Sequence, residues 1–443
     1  NFSHGSAEEH IARANMVRAI ALKIRRPIGI LCDLQGPKIR IGKFKTGKIT
    51  LKTGDIFIMD ADCALGDQDH VGLDYPSLPQ ELSEGMQLLL DDGRITMQVD
   101  RIKGNKIFCV VLSGGELSNS KGINLEGGGL SADALTDKDK ADIKTAVALE
   151  ADYIAVSFVR SAADVELARS LVLEAGGTAA IVAKIERSEA VAAADEILMA
   201  ADAIMVARGD LGVEVGVAAV PGIQKRLIRM ARIHRKPVIT ATQMMESMIN
   251  NPIPTRAEVS DVANAVLDGT DAVMLSAETA AGHYPVETVQ AVHKVVVEAE
   301  KEYFDQFEVK TIVNVFDKTD EAIAMTAIYA AQHLKVKAIA TLTQSGSTAQ
   351  WLSRADNMVP IYALSPEKIA RRKLTLYRGI FSFPIQQDGK TKDEILLEME
   401  EVLLRENVVN MDDLVILTFG EPIGHPGGTN TMKIVKIGEH RAS

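Results

Sequence analysis

Lys184 and Glu186 carry the densest chemistry in this 443-residue chain. They lie two positions apart in the run IVAKIERSEAV, residues 181–191, and on a strand both side chains point to one face. An ammonium and a carboxylate sharing an inward face are costly unless paired or bound to something. Three readings fit: a structural ion pair, an ammonium for a phosphoryl group beside a carboxylate for a metal, or a Schiff-base lysine with Glu186 assisting proton transfer. A second carboxylate, Asp210, follows in MVARGDLG. Two carboxylates with open positions suit Mg²⁺ or Mn²⁺. Gly209 lets the backbone approach a ligand, and the N–H groups after it can bind an anion. Thr242, in ITATQMMESM, adds a hydroxyl, although alone it reads as an ordinary capping residue.

The elements that must position these residues follow one pattern: a short apolar run ends in a polar residue and a helical pattern follows. The runs are 27–35, 152–159, 179–186, 203–209, 237–243 and 271–278. Runs apolar on both faces and separated by helices predict parallel strands covered on both sides. Polar residues end each one: Asp33, Ser157, Lys184 with Glu186, Arg208 with Asp210, Thr242, and Glu278. Sites in (β/α)₈ barrels gather at that end, whereas a doubly wound sheet would concentrate them at one switch point. Six contributing runs favour the barrel, although a closed one needs about eight strands. Residues 37–133 read instead as short strands with hairpin turns, a small β domain inserted in the barrel, its glycine-rich joins at Gly36 and 127–129 suiting a lid. From about residue 306 a separate α/β domain is expected, with a helix at 321–333 and strands at 338–342, 360–364, 414–419 and 431–437.

Composition narrows the class of function. A hydrophobic fraction of 47% and a charged fraction of 25% are those of a globular protein. A net charge of −11 without a Lys/Arg block argues against nucleic acid, so an anionic substrate needs a locally basic site. No run approaches the ~20 apolar residues of a membrane span, and no signal peptide is apparent. Cys32, Cys63 and Cys109, odd in number and without metal spacing, predict reduced thiols and a cytoplasmic location. The start at Asn1 without Met reads as a fragment of something longer.

The runs AKIERSEA, MVARGDLGVE, ITATQMMESM, PTRAEVSDVANAVLDGTDAVMLSAETAAG and DLQGPKIR resemble those of the pyruvate kinases, bacterial type, in the family's order and over nearly the whole chain. The resemblance implies an α/β fold, a (β/α)₈ TIM barrel (1–36 and 134–305) with an inserted small β-barrel lid (37–133) and a C-terminal α/β domain (306–443). It implies Mg²⁺-dependent phosphoryl transfer from phosphoenolpyruvate to ADP, the last step of glycolysis, and a homotetramer. By matching position, Lys184 would stand beside the transferring phosphoryl group, with Glu186 and Asp210 holding the metal. Gly209, Asp210, Thr242 and Ser157 would bind substrate, Thr242 also serving the proton relay. Arg40, Lys121 and His4 would meet the nucleotide, Arg40 as a catalytic residue.

Two departures from the family pattern matter. Asn1, Ser3 and Asp33 match positions that coordinate K⁺, yet Leu34, Gln35 and Lys38 stand where K⁺-requiring members carry Thr, Lys and Glu. The implication is that the Lys38 ammonium replaces K⁺, which is then not required. The family's first barrel strand and a phosphate-binding Arg also lie upstream of the segment that begins here, so barrel strands are expected to be missing from this chain. In the third domain, Thr343, Gln344, Ser345, Gly346, Ser347 and Thr348 open a helix, where hydroxyls and bare N–H groups form an anion site or simply cap the helix. They resemble the loop where allosteric members bind a phosphorylated effector, with residues 420–431 as a second wall.

Overall fold

The computed structural model describes residues 1–305, 316, 318–355, 359–424 and 427–439. The two ends of the expected third domain, 306–315 and 440–443, lie outside the described residues, as do 425–426 within its expected second wall. The first sheet has six parallel strands in chain order: β1 (Leu31–Asp33), β2 (Tyr153–Val156), β3 (Ala180–Ile185), β4 (Ala203–Ala207), β5 (Val238–Ala241) and β6 (Ala272–Val273). Each coincides with one of the apolar runs. The strands curve as barrel staves, with one face on helices and the other inward. Ile154, Ile181, Ala183, Ile204 and Val206 pack toward the helices, while Tyr153, Ala155, Val182, Met205 and Ile239 fill the interior. Period-two alternation therefore turns Val182 and Lys184 to the same inner side.

An aspartate precedes each even-numbered strand, and all three do the same work. Asp152 Oδ2 accepts from the Ile30 N–H at 2.8 Å, while the Asp152 N–H donates to Ile30 O at 2.9 Å. Asp202 closes the same ring with Ile181 at 2.7 and 2.9 Å, and Asp271 with Val238 at 3.0 and 3.0 Å. These rings fasten β1 to β2, β3 to β4 and β5 to β6. Each aspartate also holds guanidinium groups: Arg18 and Arg372 on Asp152, Arg169 on Asp202 and Arg354 on Asp271. The buried carboxylates of Asp152 and Asp271 are tolerable because all of these donors converge on them. Arg354 and Arg372 come from the C-terminal region, so two of the rings also clamp that region to the foot of the barrel.

The inserted segment folds as a six-stranded sheet in the spatial order His70–Val71, Ile56–Asp60, Lys106–Ser113, Ile95–Lys103, Gln87–Leu90, Ile123–Leu125, beside a ribbon of Lys48–Leu51 and Gly115–Ser118. Phe57, Met59, Leu88, Met97, Ile107 and Cys109 fill its core. The C-terminal sheet runs Ile380–Pro384, Ile361–Ser365, Ala338–Leu342, Leu414–Gly420, Thr429–Lys436, parallel except for the last pair.

Where the inserted segment returns to the barrel, its glycines make close contacts. Ser188 Oγ donates to Gly127 O at 2.8 Å, the Gly127 N–H donates to Glu214 O at 3.1 Å, and the Gly129 N–H donates to Glu189 Oε1 at 2.6 Å. A Cβ on Gly128 would sit 2.2 Å from Ser188 Oγ, on a backbone at φ +81°, so no other residue fits. Arg187, from the turn after Glu186, donates to Leu130 O at 2.9 Å. The seam closes on Glu214, whose Oε2 accepts from the Ser188 N–H at 2.9 Å and whose Oε1 lies 3.6 Å from Arg187 Nε.

Burial pushes the Glu214 carboxyl up to about 7, although the Ser188 N–H and Arg187 oppose the rise. The folded protein then binds more protons than the unfolded chain between the ordinary value of 4.5 and about 7. This contribution to stability is complete at low pH and is lost as pH rises through that window. The urea midpoint of the parent protein should therefore fall further, from about pH 5 to about pH 7.5, than that of Glu214→Gln, whose amide does not titrate. Equal falls in the two proteins would overturn the assignment.

Candidate active site

The C-terminal ends of β1, β2 and β3 meet around one ammonium. Lys184 Nζ lies 3.0 Å from Asp33 Oδ1, 3.0 Å from Glu186 Oε1, and donates to Ser157 Oγ at 2.9 Å. Ser157 Oγ in turn donates to Leu34 O at 2.7 Å, so three strands are tied through one side chain. Leu34 takes part only through its carbonyl, its side chain being buried in the barrel core. Burial works against the charge on Lys184, but Glu186 and Asp33 outweigh it and hold the group above its ordinary range. An amine kept protonated is a poor nucleophile, which speaks against the Schiff-base reading.

Glu186 is 1% exposed, and its Oε2 accepts from the Phe158 N–H at 2.8 Å. That donor is missing from the sequence reading. It exists because Phe158 adopts φ +56°, a conformation that no residue type announces. Gly36 makes the turn possible, since a Cβ there would lie 2.8 Å from both the Phe158 ring and Ser157 Cβ. Burial pushes the Glu186 carboxyl up; Asp210 adds to the rise, and Lys184 and the Phe158 N–H oppose it.

Asp210 lies in the first turn of the helix Arg208–Val215, which begins where β4 ends. Lys38 reaches toward it, Nζ to Oδ1 at 3.9 Å. The Gly209 N–H donates to Thr242 Oγ1 at 2.8 Å, and the Thr242 hydroxyl donates to Ala241 O at 2.7 Å. Two expected substrate groups are thus bonded to each other in this structure. Thr242 and Gln243 both have left-handed backbone, φ +69° and +54°. For non-glycine residues such geometry costs about 1–3 kcal/mol each and concentrates at functional sites. Glu278 Oε1 supports the turn by accepting from the Met245 N–H at 3.2 Å.

The other expected residues fall into separate sets. Asn1 Nδ2 donates to Asp33 Oδ2 at 2.9 Å, and the Ser3 N–H donates to Asn1 Oδ1 at 2.8 Å, whereas Lys38 points to Asp210. Arg40 donates to Ser120 O at 3.0 Å, and Lys121 pairs with Asp91 at 2.6 Å, both within the inserted segment. His4 is exposed. In the third domain the Gly346 N–H donates to Thr343 Oγ1 at 2.9 Å, and Ser345 Oγ accepts from the Ser347 N–H at 3.4 Å. Gln344, Ser347 and Thr348 line one small cavity with Gly420, Gly424 and Thr429.

Among the described residues no three His, Cys, Asp or Glu side chains converge as a metal cage. Mg²⁺ does not need one, because it keeps several waters and takes one or two carboxylates plus substrate phosphates. Glu186 and Asp210, near enough to repel, fit that pattern.

Comparison with known proteins gives the same family from both parts of the chain. Residues 1–289 match the family described as pyruvate kinase, barrel domain, and residues 321–435 match pyruvate kinase, alpha/beta domain. Pyruvate kinase II of Salmonella typhimurium is 52% identical over 444 residues, covering 99% of this chain and 92% of its own length. The pyruvate kinase of Haemophilus influenzae is 52% identical over 427 residues, 95% of this chain and 89% of its own. That of Geobacillus stearothermophilus is 43% identical over 445 residues, 99% of this chain and 75% of its own. The chain belongs to the pyruvate kinase family.

Proposed function

We propose that the chain transfers a phosphoryl group from phosphoenolpyruvate to ADP, giving pyruvate and ATP. The observation that carries this reading is the buried Lys184 ammonium, held between Asp33 and Glu186 at the barrel rim. In the reaction the bond from phosphorus to the enol oxygen breaks, and one from the ADP β-phosphate oxygen to phosphorus forms. Lys184 meets the charge that develops on the phosphoryl and enolate oxygens. Preorganised charge is worth most in a dry site, since no solvent must reorganise when the charge appears. Mg²⁺ or Mn²⁺ held by Glu186 and Asp210 would supply further positive charge to the same oxygens. The Gly209 and Asp210 N–H groups, at the start of a helix, take the substrate carboxylate once Thr242 turns from Gly209. The enolate carbon then accepts a proton, delivered through Thr242 and water. Ser157 keeps the lysine in place beside the substrate.

Around this centre, residues 1–36 and 134–305 form the catalytic unit, 37–133 a lid bringing Arg40 and Lys121 to the nucleotide with His4 from the barrel, and 306–443 an effector and assembly unit. The loop 343–348, with hydroxyls and N–H groups at a helix start, takes a phosphorylated effector. Asn1, Ser3, Asp33 and Leu34 frame the monovalent-cation region, whose charge Lys38 supplies. A homotetramer in the cytoplasm is the assembly and place we assign, the three cysteines being free thiols.

An assay with phosphoenolpyruvate and ADP should form pyruvate only when Mg²⁺ or Mn²⁺ is added. Turnover undiminished by a chelator would refute the metal assignment, and no turnover under any condition would refute the function. Lys184→Met keeps the stem and removes the charge, so kcat should fall at least about 10²-fold while KM changes much less. Turnover close to the parent's would remove Lys184 from the reaction. Activity should be similar with and without K⁺ at matched ionic strength, and Lys38→Glu should lower K⁺-free activity and restore a K⁺ response. A gain of about tenfold or more on adding K⁺ to the parent protein would leave Lys38 as a partner of Asp210 only.

A further inference from the structure

Thr242 and Gln243 hold a strained turn, and strain of this kind persists only where neighbours over-determine it. The main neighbour is Arg208, whose side chain is 10% exposed. Its Nε donates to Ala241 O at 3.2 Å and its Nη2 to Thr242 O at 2.7 Å, with Met244 Sδ 2.8 Å from the same nitrogen. On the opposite side Nη1 donates to Asp261 Oδ1 at 2.7 Å and reaches Gln224 Oε1 at 3.4 Å. A planar fork is thus anchored at one end on the helix Arg256–Asp268, and at the other it grips the turn that carries Thr242. A lysine, with its ammonium a single point charge, cannot span both.

We infer that Arg208 is a positioning residue for proton delivery to the enolate carbon, acting through Thr242 and fixed in its turn by Asp261. The inference rests on the role given to Thr242 above. Arg208 holds the Thr242 backbone so that its hydroxyl, once released from the Gly209 N–H, stays within reach of the bound substrate. Without the fork the turn can relax to ordinary backbone geometry and carry the hydroxyl away, while Lys184, Glu186 and Asp210 keep their own supports. Arg208 loss should therefore weaken protonation at carbon far more than substrate binding.

The test is exchange of the C3 hydrogens of pyruvate in heavy water, followed by NMR with ATP and Mg²⁺ present, beside KM for phosphoenolpyruvate. Arg208→Met should slow exchange about 10²-fold, as loss of general acid–base help does, with KM changing much less. Arg208→Lys should recover only part of the rate. Combined with Thr242→Ala, Arg208→Met should slow exchange no further than Thr242→Ala alone, because groups acting as one unit are not additive. Losses that multiply in the double variant, or parental exchange in Arg208→Met, would overturn the inference alone. Parental exchange in Thr242→Ala would overturn the Thr242 role and the inference together. Should Arg208→Met fail to fold, Asp261→Asn loosens the same fork and should slow exchange about tenfold, again without additivity toward Thr242→Ala. Full additivity there would equally reject the inference.

Discussion

An ammonium kept charged inside a barrel is the constraint on which the barrel domain turns. Taking Lys184 out of water is expensive, and only close carboxylates make it tolerable. Glu186 comes from the same strand, Asp33 from β1, and Ser157 from the end of β2, so the cluster exists only if three strands stand in register. The parallel pairing supplies that register, placing Cys32 beside Ile154 and Ile154 beside Ile181. Packing thus serves electrostatics. A slip of β3 by one residue would turn Lys184 and Glu186 together into the helix layer and leave Asp33 without its cation.

Positive charge is arranged so that Glu186 and Asp210 each already have a partner. Lys184 stands on Glu186 and Lys38 near Asp210. On the proposed function, a substrate phosphate entering this rim would meet two ammonium groups and, further on, the N–H end of a helix. The acidic total of the chain is no obstacle, because screening and distance make net charge a weak influence beside groups 3–4 Å away.

Much of this was legible in the sequence, for reasons that differ by element. The inner barrel strands β2, β4 and β5 were readable because both faces are buried, so their apolar runs are continuous. Strands β1 and β6 are only partly buried and were legible from the repeat of run and helix. Lys184, Glu186 and Asp210 stood out because charge inside such runs is costly. The strands His70–Val71 and Ile123–Leu125 are too short to show alternation, Gly115–Ser118 holds one apolar side chain, and Ile380–Pro384 hides behind its serine and terminal proline. The left-handed turns at Phe158 and Thr242 were not legible, since tertiary contacts impose them against intrinsic preference. Arg208 was visible at a strand end, but its grip on Thr242 O depends on those turns. The glycines at 127–129 read as freedom, yet at Gly128 the reason is proximity to Ser188.

The three aspartate rings have a consequence beyond stability. They fasten β1 to β2, β3 to β4 and β5 to β6 at the ends farthest from Lys184, so the sheet is built of doublets hooped at the foot. Alignment is reinforced there, by residues at the opposite end of the strands from Lys184. The lip of the barrel, where Lys184 and Ser157 also tie three strands, is thereby relieved of part of the task of holding strands together. Side chains at the lip are free to diversify, and the same staves could carry another chemistry without being refitted.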